Sequence, residues 1–342
     1  MTDRKKIFIT TGGGVGDLIM FTPALRRIKE LHPNYELTIL TKQQTVDVIN
    51  RIPWIDHVIG VRRGIFLSRF RALEDLYGQD VAVFTDWQPH LLPFAYIFGI
   101  SERIGKSRLS NPISRLLTQT LTHDVMRETR YAAETNALLF AEALHIEIPG
   151  DMTHPDVSMP TDEEKQAIYD RCKQFGVDLH HPFILLTPYS SRYERDWPVD
   201  YIYEFIELVK AKYNMPVIVA GITKENNDRL QDVPYNVINR TSFAELVALI
   251  GYSTCHISVD SGPMHVSAAL GQTVIPLFNK DLPSRWAPPK HHCYPIYLGD
   301  DSYKVYGEPM PLVNQEDWSD IRNITPYMVY NVLEYLENRN SV

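Results

Sequence analysis

Short apolar runs alternate with amphipathic stretches along almost the whole chain. Ile7 to Thr10 reads as a buried strand and Asp17 to Leu31 as a helix. In that helix Leu18, Phe21, Leu25, Ile28 and Leu31 recur at three and four, while Arg26, Arg27, Lys29 and Glu30 mark a wet face. Pro23 falls within what are read as the first turns, where proline is best tolerated. Further strands are expected at Glu36 to Leu40, His57 to Val61 and Val81 to Phe84. Helices are expected at Val46 to Ile52, Leu91 to Phe98 and Arg130 to Leu144.

His145 to Thr161 is rich in Pro, Gly, Asp and Thr and has little period, so it reads as a linker. A second series follows. Strands are expected at Phe183 to Thr187, Val217 to Ala220, Val237-Ile238, Cys255 to Val259 and Val274 to Phe278. Helices are expected at Tyr201 to Tyr213, Phe243 to Ile250 and Pro263 to Leu270, with a last one from Thr325-Pro326 to about Asn338. Strands alternating with helices predict an α/β protein with doubly wound parallel sheets. The reading divides the chain into 1–150, 162–324 and a terminal helical segment, 325–342.

Composition narrows the class. With 342 residues, 44% hydrophobic and 22% charged, the chain suits two globular domains. Its three cysteines lie far apart, which argues against a disulfide framework and a cysteine-built zinc site. The apolar run after Arg4-Lys5-Lys6 lasts three residues, too few for a signal peptide, and no stretch approaches a membrane span. A cytoplasmic protein is the expectation. Residues 1–150 hold 18 Lys and Arg against 16 Asp and Glu, a net +2; residues 151–342 hold 16 against 26, a net −10. Such acidity argues against nucleic acid as a partner. The basic stretch 102–130, with Arg103, Lys106, Arg108, Arg115, Arg127 and Arg130, suits an anionic acceptor or membrane headgroups, or simply a solvated surface.

Candidate chemistry sits in two loops of the type strand, tight turn, helix. Gly12-Gly13-Gly14-Val15-Gly16-Asp17 follows the first strand. It fits neither a dinucleotide fingerprint nor a P-loop: Asp stands where the third glycine belongs, and no Gly-Lys-Ser/Thr follows. What remains is a loop that lets a ligand approach backbone, with one carboxylate at a helix mouth. Asp17 is a candidate general base, or only a helix cap. Asp260-Ser261-Gly262-Pro263-Met264-His265 precedes the second helix start. Free N–H groups, the Ser261 hydroxyl and His265 there could cradle a diphosphate; the plainer alternative is a capped helix. Pro188 to Pro198 adds Ser190, Ser191, Arg192 and Arg195 to a third loop, and arginine suits a diphosphate. Trp197-Pro198 reads as a packing anchor.

Together these blocks resemble glycosyltransferase family 9, the group that contains the lipopolysaccharide core heptosyltransferases. The resemblance rests on Gly14-Val15-Gly16-Asp17 followed by Thr22-Pro23-Ala24-Leu25, on Arg195-Asp196-Trp197-Pro198, on Thr241-Ser242-Phe243-Ala244-Glu245-Leu246, and most of all on Val259 to Gly271. It implies a GT-B fold: two Rossmann-like domains facing a central cleft, the acceptor in the first, the sugar nucleotide in the second, the terminal helix crossing back to the first. It implies inverting transfer with no metal and no cofactor. Asp17 then matches the family's base, supported by the loop Gly13, Gly14, Val15 and Gly16. Ser190, Ser191, Arg195, Glu225, Thr241, Ser242, Asp260, Ser261, Gly262, Pro263, Met264 and His265 form the expected donor set. Arg195 stands where the heptosyltransferases place a lysine.

Two departures stand out. Met20 replaces a histidine, and Phe278-Asn279-Lys280 replaces an aromatic-Gly turn. They leave the transferase expectation standing but open the sugar and the acceptor. Heptose from ADP-heptose, moved to a bacterial surface glycan such as lipopolysaccharide core, is the first expectation, with peripheral contact at the inner membrane face. Another sugar nucleotide, an epimerase or hydrolase of the same architecture, and a non-catalytic binder are the alternatives.

Overall fold

The computed structural model describes residues 4–62, 72–108, 110–223, 227–289, 292–299 and 319–340. The chain divides into two compact units, Met1–Ser158 and Met159–Val342.

The first unit is built on a wholly parallel sheet of β1 (Lys5–Thr10), β2 (Tyr35–Lys42), β3 (His57–Val61), β4 (Val81–Phe84), β5 (Glu102–Gly105) and β6 (Gln119–Thr120), in the order β3-β2-β1-β4-β5-β6. Ile7, Phe8 and Ile9 of the central strand are fully buried, as expected for a sheet covered on both faces. The strand order reverses between β1 and β4. In sheets of this kind ligands bind outside the carboxyl ends of the two strands that flank such a reversal.

Helix α1 (Val15–Leu31) leaves β1 directly. Pro23 therefore lies in its third turn, deeper than the first turns expected. The proline has no N–H for the Ile19 carbonyl, and the Thr22 hydroxyl donates to that carbonyl instead, at 2.7 Å. The Thr22 oxygen in turn accepts from the Asp156 N–H at 2.7 Å. Arg26 Nη1 reaches both Asp156 oxygens at 2.9 Å, its Nη2 reaches the His154 carbonyl, and Arg27 reaches the Pro149 carbonyl. The residues before Ser158 are thus laid along α1 by arginines that the sequence pattern assigns to a wet face.

The second unit holds β7 (Ile184–Thr187), β8 (Val217–Val219), β9 (Cys255–Val259), β10 (Val274–Phe278) and β11 (Ile296–Tyr297) in the parallel order β11-β10-β9-β7-β8. Here the reversal falls between β7 and β9. The helix Pro326–Asn340 packs on the helix Val199–Tyr213 of the same unit and gives Val329, Val332, Leu333 and Leu336 to its core.

Several elements differ from the expectation. The helix Asp162–Gln174 buries only Ile168 and Cys172, so its apolar period is weak; the Thr161/Glu164 capping box that starts it is the legible signal. Gln43–Val48 is a 3-10 helix in place of the helix expected at Val46 to Ile52. Val237-Ile238 is not a strand, although the Val237 N–H donates to the Val219 carbonyl at the edge of β8. The short strands β5, β6 and β11 leave too few residues for a period to show.

Candidate functional site

In the first unit the glycine loop occupies the β1/β4 reversal. Gly14 is the N-cap of α1 and Asp17 its third residue. Asp17 Oδ2 accepts the Gly14 N–H at 2.7 Å, and Oδ1 has no hydrogen-bond donor among the described residues. The carboxylate is half-buried and sits in the positive field of the helix start. Val15 and Gly16 form the first turn. Gly13 is required by contact: a Cβ there would lie 2.3 to 2.5 Å from the Asp17 side chain. At Gly12 a Cβ would lie 2.3 Å from Asp86 Oδ2.

Asp86 is a residue the sequence reading left out. It ends the segment Val81–Asp86 on the other side of the reversal, and its carboxylate accepts from Thr10 Oγ1 at 3.0 Å and from Gln88 Nε2 at 2.9 Å. Two carboxylates thus lie against adjacent glycines of one loop. Strand order brings Asp86 beside Gly12, and that order leaves no signal in the sequence.

In the second unit the β7/β9 reversal gathers most of the expected donor residues. Ser261 is the N-cap of the helix Gly262–Leu270, with Gly262 and Pro263 next. Its hydroxyl turns back to the Val259 carbonyl at 3.1 Å. Asp260 is nearly buried and accepts from Arg195, which reaches Asp260 Oδ2 at 3.0 Å and the Asp260 carbonyl at 2.9 Å. Arg195 also pairs with Asp281, which the sequence reading did not single out. Ser190 shapes the β7 loop: its N–H donates to Asp196 at 2.8 Å and its hydroxyl to the Arg192 carbonyl at 2.8 Å. Ser191 is exposed.

Met264 and His265 point elsewhere. The Met264 side chain lies in a core cluster with Val274, Phe278, Ala287 and Cys293, so only its backbone belongs to the loop. His265 is 3% exposed, and its Nδ1 has no hydrogen-bond partner among the described residues. Burial pushes its pKa down to about 4, so it is a neutral imidazole at pH 7. Ser242 caps the helix Phe243–Tyr252, and Thr241 is half-buried beside it. This segment is held near the end of β8 by Asn239, whose side chain bonds both the N–H and the carbonyl of Thr223. Glu225 lies outside the described residues.

A polar chain runs beneath the loop. His256, fully buried on β9, links Ser267 Oγ at 2.6 Å to Thr187 Oγ1 at 2.9 Å; Thr187 then donates to Ser258 at 3.0 Å. Burial pushes the His256 pKa down to about 3. Both histidines therefore titrate below the unfolded value of about 6.5. Above that pH both are neutral, folded or unfolded, and contribute no pH dependence. Below it the unfolded chain takes up protons first, and each histidine costs about 1.4 kcal/mol per pH unit until its folded pKa is reached. The melting temperature of the second unit is expected to fall steadily from about pH 6.5 to about pH 4. His256→Gln should flatten that slope by roughly half, whatever it does to stability at pH 8. Equal slopes for the variant and wild type would contradict this assignment.

No group of three His, Cys, Asp or Glu side chains that could hold a metal ion occurs among the described residues. None of the described helices is long and apolar enough to cross a membrane.

Comparison with known proteins places this geometry. The lipopolysaccharide core heptosyltransferase OpsX of Haemophilus influenzae is 21% identical over 323 residues, which cover 89% of this chain and 88% of that one. A family 9 glycosyl transferase from Veillonella parvula has the same fold, with a TM-score of 0.78 at 18% identity over 98% of both chains. The Escherichia coli heptosyltransferase WaaC, solved with ADP-2-deoxy-2-fluoro heptose, matches with a TM-score of 0.68 at 14% identity over 96% of this chain and 99% of that chain. The architecture is therefore GT-B, with two Rossmann-like domains. The model of glycosyltransferase family 9 (heptosyltransferase) matches residues 93–303, and the chain belongs to that family and is a glycosyltransferase.

Proposed function

We propose that this enzyme transfers a heptosyl group from ADP-heptose to a hydroxyl of a bacterial surface glycan such as lipopolysaccharide core, with inversion and without a metal. The first unit binds the acceptor and supplies Asp17 as base; the second binds the donor. The observation that carries the reading is the pair of helix-start loops, one at the strand-order reversal of each sheet. Asp17 marks one; Asp260, Ser261 and Arg195 mark the other. The names of the relatives, lipopolysaccharide heptosyltransferases, and the ADP-heptose analogue bound to WaaC support the donor.

In this mechanism Asp17 Oδ1 accepts the proton of the acceptor hydroxyl as its oxygen attacks the anomeric carbon. The bond to the diphosphate breaks on the opposite face, and ADP leaves with the electron pair. Arg195 and the N–H groups that begin the helix Gly262–Leu270 meet the charge that develops on the leaving group. Thr241, Ser242 and Glu225 are assigned to the nucleoside. His265, buried and neutral, brings no positive charge to the diphosphate, so the cation of the site is Arg195.

Lipopolysaccharide core, the acceptor proposed above, is lipid-linked, and the first unit has a surface suited to headgroups. Phe94, Tyr96 and Ile97 are exposed on the short helix Leu92–Ile97, and the Arg103 guanidinium lies over the Tyr96 ring at 5.4 Å. The neighbouring turn Pro112–Leu116 carries exposed Arg115. Aromatic rings beside arginines favour the interface of an anionic bilayer. We assign peripheral membrane contact to this patch. Anionic vesicles should bind the wild-type protein in sedimentation, and Phe94→Ser with Ile97→Ser should weaken that binding severalfold; equal binding would remove the assignment.

The donor reading is tested by thermal shift with ADP, UDP, GDP and their sugars, with and without EDTA. A shift with ADP or ADP-heptose that EDTA leaves intact is expected. A shift confined to uridine or guanosine ligands would overturn the donor, and one abolished by EDTA would overturn metal independence.

A further inference from the structure

The loop after β7 brings two arginines to the donor site but no net positive charge. Arg195 is held by Asp260 through one Nη and by Asp281 through the other. Arg192 Nη1 lies 3.8 Å from the same Asp281 oxygen. Two guanidinium groups and two carboxylates cancel. The loop that carries Asp281 is pinned in place, since Asn279, itself buried, donates from Nδ2 to the Glu194 carbonyl at 2.8 Å. The Asn279 contact falls in the stretch where Phe278-Asn279-Lys280 departs from the family pattern, and Asp281 follows it directly.

A nucleoside diphosphate carries several negative charges and is poorly received by a neutral cluster. For Arg195 to pair with it, one of the two carboxylates has to let go. Asp260 is the better held: its side chain is 8% exposed, and both its carboxylate and its carbonyl accept from Arg195. The Asp281 side chain is 28% exposed and already has Arg192 as a second partner. We propose that Asp281 is an internal stand-in for the donor's diphosphate: it occupies Arg195 before the donor binds and passes to Arg192 when the donor takes its place. This rests on the assignment of the donor loop to the second unit. The exchange selects by charge. A diphosphate can displace a carboxylate from a guanidinium, whereas a ligand with fewer phosphate oxygens competes less well.

The test is calorimetric titration of ADP, UDP, GDP and AMP into wild type, Asp281→Asn, Arg192→Ala and the double variant. Asp281→Asn should bind ADP about three- to tenfold more tightly, the size expected for removing one partly screened competing charge. It should also narrow the preference for ADP over AMP. Arg192→Ala should bind ADP about threefold more weakly, because Asp281 then has only Arg195 to pair with. In the Asp281→Asn background that loss should shrink or vanish. Arg192 is exposed, so even if Asp281→Asn fails to fold, an ADP affinity left unchanged by Arg192→Ala would overturn the stand-in. Unchanged or weaker ADP binding by a folded Asp281→Asn protein would overturn the stand-in while leaving the donor reading intact. An Arg192 effect of equal size in both backgrounds would do the same. If neither wild type nor Asp281→Asn binds any nucleoside diphosphate, the donor reading falls and the stand-in with it. Binding by Asp281→Asn alone would support both.

Discussion

Asp17→Asn is expected to lower sugar transfer by about a hundred- to ten-thousandfold while leaving nucleoside diphosphate affinity unchanged. The substitution is nearly isosteric, and the asparagine carbonyl can still accept the Gly14 N–H that Asp17 accepts at 2.7 Å. The helix start is therefore kept, and only basicity is lost. Steady-state transfer and ADP titration on the same preparation check both halves. Transfer within tenfold of wild type would show that Asp17 is a helix cap and nothing more. The neighbouring glycines supply a graded companion. A Cβ at position 13 would fall 2.3 Å from Asp17 Cβ and 2.4 Å from its Oδ2, so Gly13→Ala must push the carboxylate aside. At position 14 the same Oδ2 is the nearest atom, at 3.8 Å. Gly13→Ala should thus cost much of the activity and Gly14→Ala little.

Trp197→Ala is expected to destabilise the second unit by about 3–5 kcal/mol, the range for removing a large buried aromatic. Trp197 is 1% exposed and packs edge-on against Phe205, with ring centroids 6.0 Å apart. Its Nε1 donates to the Ile324 carbonyl at 2.8 Å, and its backbone N–H closes the β7 loop onto the Pro188 carbonyl at 2.9 Å. Truncation opens a cavity and leaves a buried carbonyl without its donor. The same ring anchors the loop that carries Arg195, so donor binding should weaken with stability. Trp197→Phe keeps most of the packing and loses the N–H, and should cost about 1–2 kcal/mol. Urea unfolding followed through the second unit's own transition checks both, since a two-unit chain need not unfold in one step. A Trp197→Ala protein within about 1 kcal/mol of wild type would remove the anchor role.

The strands that position the two loops were legible because each is a short apolar run ending at a glycine, an aspartate or a proline. Strand order was not. It follows from which crossovers pack where, and it is strand order that sets Asp86 against Gly12 and Asp281 against Arg195. Those partners lie 74 and 86 residues apart in sequence and leave no local signal. The β7 loop shows the same limit in charge. Its arginines read as cations awaiting a phosphate, but the fold supplies each with a carboxylate. His265 reads as a polar group at a helix start, yet the turn directs it inward and burial keeps it neutral. Arg26 and Arg27 read as solvated, yet they bind the segment that closes the first unit. Residue type and period locate elements; long-range pairing decides what each charged side chain does there.

The central claim is that this family 9 glycosyltransferase moves heptose from ADP-heptose to a glycan. The most direct measurement is mass spectrometry of lipopolysaccharide from a heptose-deficient strain after incubation with the enzyme and ADP-heptose in EDTA. The account predicts a gain of one heptosyl residue with release of one ADP, and no gain with the Asp17→Asn enzyme. No heptosyl gain and no ADP release, from an enzyme that gives a product with a different sugar nucleotide, would contradict it.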